Sequence, residues 1–327
     1  SMIKNLEIRN FKSIRELKLD CKRVNIFIGE PNTGKSNILE SVGIFSFPFI
    51  LGSDYPFKKL IRYETTTNLF YDNEIEKPIF IGADEFELEL KFAVDTFVGE
   101  CRKGDNLFFS FSLNFQDYVD GRLLSAEKNP FKFYKFEVIN YFSTALREPY
   151  LLPPRGDNLL EILLMNKDLR KRINELVKPF ELKIVLKPNE QSIEVQKEIE
   201  DVVIAYPYSL LSYTLQRIIF YLVAIETNEN SILIFEEPEA HSFPHYTKLL
   251  AEKIALDEND NQYFISTHSP YFIYPIIEKA KKDVNIFITY YKDFQTQVKA
   301  IEDKEIEEII DLNIDPFLNL DKFIKEK

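Results

Sequence analysis

The residues Gly29-Glu30-Pro31-Asn32-Thr33-Gly34-Lys35-Ser36 fit the pattern G-x-x-x-x-G-K-[ST] without a gap. They stand between an apolar run that reads as a strand and a periodic run that reads as a helix, the context such a loop requires. Glycines at these positions let the backbone wrap around phosphate oxygens, so that amide N–H groups and the helix N-terminus face the anion. Lys35 is then expected to reach the β- and γ-phosphates of a nucleoside triphosphate, and the Ser36 hydroxyl to ligate Mg2+. The chain has only nine glycines, and two of them stand where this chemistry needs them.

A second chemical element closes the apolar run Ser231-Ile232-Leu233-Ile234-Phe235, which ends in Glu236-Glu237-Pro238-Glu239. Adjacent acids at a strand's end reach in different directions. One holds the Mg2+ water shell from the C-terminal edge of the sheet; the next orients and deprotonates an attacking water. The third element is Phe264-Ile265-Ser266-Thr267-His268-Ser269-Pro270, a strand pattern that ends in a histidine. Alone, a histidine carries little weight, but beside a phosphate loop and paired acids His268 reads as functional. His241 and His245 do not read as a metal pair, because Pro244 between them favours a helix start over one continuous helical face.

Particular elements must deliver these residues. Residues 3 to 9 and 16 to 20 alternate in polarity, and Val24 to Ile28 is a β-branched and aromatic run suited to a buried strand. The loop follows, then a helical pattern from Ser36 to about Phe45. Residues 46 to 77 have no clear period and read as irregular. From about 78 to 140 the alternation returns, with Phe86, Leu88, Leu90 and Phe92 interleaved with Glu85, Glu87, Glu89 and Lys91. That pattern predicts half-buried antiparallel strands with one wet face.

After Pro153-Pro154, helical patterns fill 158 to 178, where Asn158 and Glu161 resemble an N-terminal capping pair. Strands at 181 to 187 and 192 to 206 follow. Thereafter helices at 211–226, 244–256, 270–282 and from about 303 alternate with strands at 231–235, 262–266, 284–291 and 295–301. The fold class is α/β with a mostly parallel sheet, an antiparallel β lobe and a helical insertion.

Composition narrows the class. The 327 residues are 45% hydrophobic and 29% charged, enough to build a sizeable core. A net charge of −12 argues against a surface coated in basic residues for non-specific nucleic-acid binding, while leaving a local basic groove open. Two cysteines, Cys21 and Cys101, make no disulfide framework and suit a reducing cytoplasm. No run of about 18 apolar residues offers a membrane span. Ser1 before Met2 is set aside as a cloning remnant.

Ile8-Arg9-Asn10-Phe11-Lys12-Ser13-Ile14, the loop from Gly29 to Asn37, Glu236-Glu237-Pro238-Glu239-Ala240-His241 and Ser266-Thr267-His268-Ser269-Pro270 together resemble the ATP-binding-cassette (ABC) ATPases of the SMC, RecF and OLD type. The resemblance is strongest to the stand-alone AAA-like (AAA_15 or AAA_21) ATPases of bacteria and archaea. It implies a P-loop NTPase, a single two-lobed ABC-type head over 2–327. Its parts would be N-terminal strands and Walker A at 2–46, the antiparallel lobe at 78–140, the helical insertion at 150–206 and the Walker B and switch-histidine lobe at 207–327. It also implies that heads dimerise around two ATP molecules with Mg2+.

By the same resemblance, ATP is bound by Gly29, Glu30, Pro31, Asn32, Thr33, Gly34, Lys35, Ser36 and Asn37, and the metal by Ser36 and Glu236. Glu237 falls at the general base, His268 at the histidine that senses the γ-phosphate, and Ala240-His241 in the D-loop. Lys35, Glu237 and His268 form the catalytic set. Glu236 replaces the commoner aspartate. The signature helix, which one head presents to the other's γ-phosphate, is placed at Leu210-Leu211-Ser212-Tyr213-Thr214-Leu215-Gln216-Arg217, with Ser212 facing phosphate. It has no glycine, since the last in the chain is Gly156. Gln116 is one candidate for a Q-loop glutamine.

The chain thus reads as a cytoplasmic, Mg2+-dependent ATPase whose dimerisation regulates a partner or acts on nucleic acid, in defence or DNA maintenance. The stretch after His268 has room for two strands and a helix but not for a nuclease-like Toprim domain, so an effector such as a nuclease or toxin is expected on another chain. A nucleotide-sensing scaffold with negligible turnover is the alternative, and the glycine-free signature motivates it. A P-loop kinase is disfavoured because the acidic and histidine motifs have no role in transfer to a small acceptor. Lys128, Lys132 and Lys135 beside Phe131, Phe133 and Tyr134 read as the wet face of an antiparallel strand rather than a nucleic-acid contact.

Overall fold

The chain opens on two paired antiparallel strands, β1 (Asn5–Phe11) and β2 (Ile14–Asp20). β3 (Val24–Gly29) follows, buried along its whole length. The computed structural model describes residues 2–311 and 315–324. Beyond the phosphate loop, α1 (Lys35–Gly43) passes into a 3-10 stretch, Ile44–Ile50, where Pro48 has no N–H to continue an α-helix. Short turns and α2 (Phe57–Leu60) lead to β4 (Ile79–Ala83), β5 (Phe86–Ala93), β6 (Thr96–Lys103), β7 (Asn106–Leu113) and β8 (Val119–Leu123). These pair antiparallel in succession, and β4 also pairs with β1, giving a seven-stranded sheet in the order β2-β1-β4-β5-β6-β7-β8. In β5 the alternation is literal: Phe86, Leu88 and Leu90 are buried and Glu87, Glu89 and Lys91 exposed.

β9 (Phe131–Tyr134) leaves that sheet. After it come α3 (Leu159–Met165), α4 (Lys167–Val177) and an antiparallel three-stranded sheet of β10 (Lys183–Lys187), β11 (Ser192–Ile199) and β12 (Val202–Pro207). The remainder is α5 (Tyr213–Thr227), β13 (Ile232–Glu236), α6 (Pro244–Ala255), β14 (Gln262–Ser266), α7 (Pro270–Ala280), β15 (Val284–Lys292), β16 (Gln295–Ala300), α8 (Asp303–Asp311) and α9 (Leu320–Ile324). The second large sheet has the order β16-β15-β3-β14-β13-β9, parallel throughout except for β16.

Side chains of the parallel strands alternate between two cores, as the period of two demands. Val24, Ile26, Ile28, Leu233, Phe235, Tyr263 and Ile265 face the core shared with α5, α6 and α7. Phe27, Ile232, Ile234 and Phe264 face the core shared with α1 and the antiparallel sheet. Thus α1 is clamped between the two sheets, and its N-terminus is fixed at the C-terminal ends of β3, β13 and β14. In open α/β sheets, ligands bind at that edge.

Three sequence expectations are corrected. The stretch 131–134 is not an antiparallel strand with a wet face: β9 runs parallel to β13 at the edge of the second sheet, and all four of its residues are buried. Lys132 is accommodated because its Nζ donates to Asn228 Oδ1 at 2.6 Å and Ser231 Oγ at 2.9 Å and lies 3.7 Å from the centre of the Tyr150 ring. A buried ammonium needs such acceptors and aromatic faces.

Asn158 stands at the N-cap of α3 as the sequence predicts, but neither its side chain nor that of Glu161 caps the helix. Asn158 bonds the backbone of Leu152 and Tyr150, and the Glu161 carboxylate accepts from the amides of Leu146 and Arg147, so the pair holds the preceding loop. Lastly, 192–206 is two strands, broken where Glu200 and Asp201 take φ of 48° and 64° and reverse the chain.

Candidate functional site

Gly29 ends β3 and Gly34 opens α1 at φ 103°, a conformation that side chains rarely adopt. A Cβ on Gly34 would collide with Thr296 Oγ1, and one on Gly29 with Thr289 Oγ1, so β15 and β16 hold the loop tightly from behind. The grip is a chain of buried hydroxyls. Thr289 Oγ1 lies 2.7 Å from Thr33 Oγ1, which donates to the Glu30 carbonyl. Thr296 Oγ1 donates to the Thr33 carbonyl at 2.9 Å and lies 2.6 Å from Ser13 Oγ. Asn37 Nδ2 donates to Ser13 Oγ at 2.7 Å, tying the loop to the β1–β2 turn. Glu30, Pro31 and Asn32 form the exposed lip.

Lys35 is buried, and its Nζ donates to the carbonyl of Gly29 and, at 3.2 Å, to that of Glu30. Burial lowers its pKa, and the Glu237 charge opposes that shift. Ser36 Oγ donates to Glu236 Oε1 at 2.6 Å, bringing together the two residues expected on the metal. Burial raises the Glu236 carboxyl, but the Arg62 guanidinium, the Ser36 hydroxyl and Lys135 more than offset it, leaving the group below its usual range.

Sequence reasoning missed the charges behind this pair. Arg62 Nη2 also meets Glu236 Oε1, at 2.6 Å, while the Arg62 amide donates to Glu40 Oε2 at 2.5 Å. Lys12 Nζ reaches the other oxygen of Glu40 at 2.9 Å. Glu40 is buried on α1, one helical turn beyond Ser36, and an acid on the apolar face of a helix is a signal that was there to be read. Arg62 lies in the aperiodic stretch after α2, where spacing says nothing. Gln116 is exposed in the turn between β7 and β8.

Glu237 Oε1 and His268 Nε2 are 2.6 Å apart at the ends of β13 and β14, each side chain part exposed. The Glu237 backbone is held at φ 46° from both sides: its amide donates to the Ser266 carbonyl at 3.0 Å and to Ser266 Oγ at 3.2 Å, and its carbonyl accepts from Arg217 Nη2 at 2.7 Å and from the Ala240 amide at 3.0 Å. A non-glycine residue in that region stores strain that its surroundings must balance. Ser212 is the N-cap of α5, its Oγ accepting from the Leu215 amide at 3.2 Å, and Thr214 Oγ1 donates to the His241 carbonyl at 2.8 Å. The start of α5 is therefore tied to the loop that carries Glu237. His241 and His245 are exposed, and the helix between them begins at Pro244.

The donor set fits a hard divalent cation. Ser36 and Glu236 supply adjacent oxygens, and among the described residues no cluster of three or more acidic, cysteine or histidine side chains is suited to a metal. Mg2+ in such a place takes its remaining ligands from phosphates and water.

A glycine-gripped loop between β3 and α1, acids at the end of β13 and a histidine at the end of β14 define the class: a P-loop ATPase head on an α/β sheet. The chain belongs to the AAA_15 family, AAA ATPase domain, whose profile matches residues 2–202 and 159–273. It is 32% identical over 146 residues to an uncharacterized protein of Methanocaldococcus jannaschii, a match that covers 38% of this chain and 67% of that protein.

Among solved structures, the SMC head bound to the C-terminal winged-helix domain of ScpA matches with a TM-score of 0.54 at 12% identity, over 92% of this chain and 98% of that one. The Smc head domain with an extended coiled coil, bound to the C-terminal domain of ScpA from Pyrococcus furiosus, matches at 0.51 and 10% identity, over 95% and 99%. At such identities the likeness shows the fold, and the fold is that of the SMC head.

Proposed function

We propose that this chain is a Mg2+-dependent ATPase whose nucleotide-driven dimerisation regulates a separate effector or acts on nucleic acid. The observation that carries the reading is the Glu237–His268 contact of 2.6 Å, set beside the Ser36–Glu236 contact of 2.6 Å at the mouth of a phosphate loop.

Gly29 to Asn37 cradle the phosphates. Lys35 exchanges the loop carbonyls for the β- and γ-phosphates, regaining an anionic partner that favours its charged form. Ser36 and Glu236 would hold Mg2+, which when bound neutralises charge on the phosphates. The Glu237 carboxylate accepts a proton from the attacking water, and His268 orients that carboxylate from the neighbouring strand end. Ser212, at the start of α5, is the group offered to a second chain's nucleotide, so the single head works in pairs. No helix among the described residues is long and apolar enough to cross a membrane. The cytoplasm is the compartment this reading assumes, and a nuclease or toxin on another chain, in defence or DNA maintenance, is the effector it anticipates.

A nucleotide-sensing scaffold with little turnover is the second reading. Its support is that Ser212 Oγ is already engaged with the Leu215 amide and that no glycine lies near it. Molar mass by light scattering separates the two parts of the proposal. Glu237→Gln with Mg·ATP should double its mass relative to the nucleotide-free chain, and an unchanged mass would overturn ATP-driven dimerisation.

A further inference from the structure

Glu239 is one residue past the proline that follows the paired acids. Its side chain is almost fully buried. Oε1 accepts from Thr267 Oγ1 at 2.5 Å and from the His268 amide at 3.2 Å. The other oxygen, Oε2, is buried with no hydrogen-bond partner among the described residues. Burial raises the Glu239 pKa, against the pull of the Thr267 and His268 donors.

A buried carboxyl oxygen left without a partner is destabilising, so stability alone does not account for an acid here. What the carboxyl does is join two loops that are adjacent in space and far apart in sequence: the one after β13, which carries Glu237, and the one after β14, which carries His268. Its two donors, the Thr267 hydroxyl and the His268 amide, fix the chain where it enters His268 and so set where the imidazole begins.

We infer that Glu239 is a positioning residue that locks the His268 loop to the Glu237 loop and thereby holds the imidazole on the Glu237 carboxylate. This rests on the proposed roles of Glu237 and His268. The group acts through His268 and touches neither nucleotide nor metal. Removing it should lower the rate of turnover while leaving nucleotide binding in place, and it should do nothing further once His268 is gone.

The test is a double-mutant cycle read by ATP turnover, nucleotide affinity and the side-chain NMR signals of the histidines, of which the chain has only three. Glu239→Ala should lower kcat by about tenfold with ATP affinity within about twofold, and should move the His268 imidazole resonance while that of His245, on α6, stays put. In a His268→Ala background the same change should cost less than about twofold more. Glu239→Gln, which keeps the accepting oxygen and the volume, should restore turnover to within about threefold of wild type.

An unmoved His268 resonance, or losses that multiply fully in the double variant, would overturn the inference. If His268→Ala itself leaves turnover unchanged, the reading of the site fails instead. Should Glu239→Ala not fold, Thr267→Val removes the hydroxyl donor, together with its acceptance from the Ser269 amide at 3.1 Å, and is expected to move the same resonance by less. An unmoved signal there would equally overturn the lock.

Discussion

Lys35 shows how one side chain serves both the empty and the loaded loop. Its ammonium is held by the carbonyls of Gly29 and Glu30, and those bonds are neutral-acceptor bonds that a phosphate betters with full charge. Lys35→Ala should therefore weaken ATP binding by about tenfold to a hundredfold, the value of one or two charge-assisted hydrogen bonds, with little change in melting temperature. Calorimetric titration checks this, and affinity within about twofold of wild type would contradict it.

Residues of this kind are legible in sequence because the backbone places them in one contiguous turn. Arg62 and Lys12 are not: each reaches the site from a separate segment, and only the fold brings them to Glu236 and Glu40. The Arg62 contact carries its own expectation. Arg62→Ala removes the largest influence holding the Glu236 carboxyl down. Its infrared-detected ionisation should then move up in pH, and an unmoved band would contradict the assignment.

At the scale of elements, the loop's shape comes from β15 and β16 as much as from its own glycines. Gly34 sits at φ 103° against Thr296 and Ser13, whereas Gly104, at φ 59°, has open space around it. Gly34→Ala should accordingly cost about 1–3 kcal/mol in urea unfolding, more than Gly104→Ala, which meets only the backbone penalty of about 1 kcal/mol. Equal costs would mean that the threonine network does not grip the loop.

Element types and order were readable because the apolar period switches plainly from 2 to 3.6 and the strand that bears each motif is long enough to register. The failures have physical causes. In β9, Lys132 mimics a wet position, and only the tertiary partners Asn228, Ser231 and Tyr150 let it be buried. The break in 192–206 was missed because Glu200 and Asp201 make a tight reversal without glycine.

Across the whole molecule, the parallel sheet divides two apolar cores, and Lys132, buried on the edge strand β9, makes the fold sensitive to pH. Burial lowers the Lys132 pKa from 10.5 to about 7. Between those values the unfolded chain binds a proton that the folded chain does not, so stability rises with pH across that window. Below about pH 7 both states are protonated and the full cost of burying the charge is present. Lys132→Met lacks this dependence. The wild type should gain on the variant by up to about 1.4 kcal/mol per pH unit between about pH 7 and 10, measured by urea unfolding at several pH values; parallel curves would contradict it.

The same scale decides what the two sheets and the loop they share are for. Phosphate released from ATP by the wild type and by Glu237→Gln, at saturating Mg·ATP, tests that most directly. Steady turnover in the wild type that falls by about a thousandfold in Glu237→Gln, with ATP still bound, is the predicted result. Equal turnover in both chains would contradict the assignment of Glu237 as the base, and with it the account of the site.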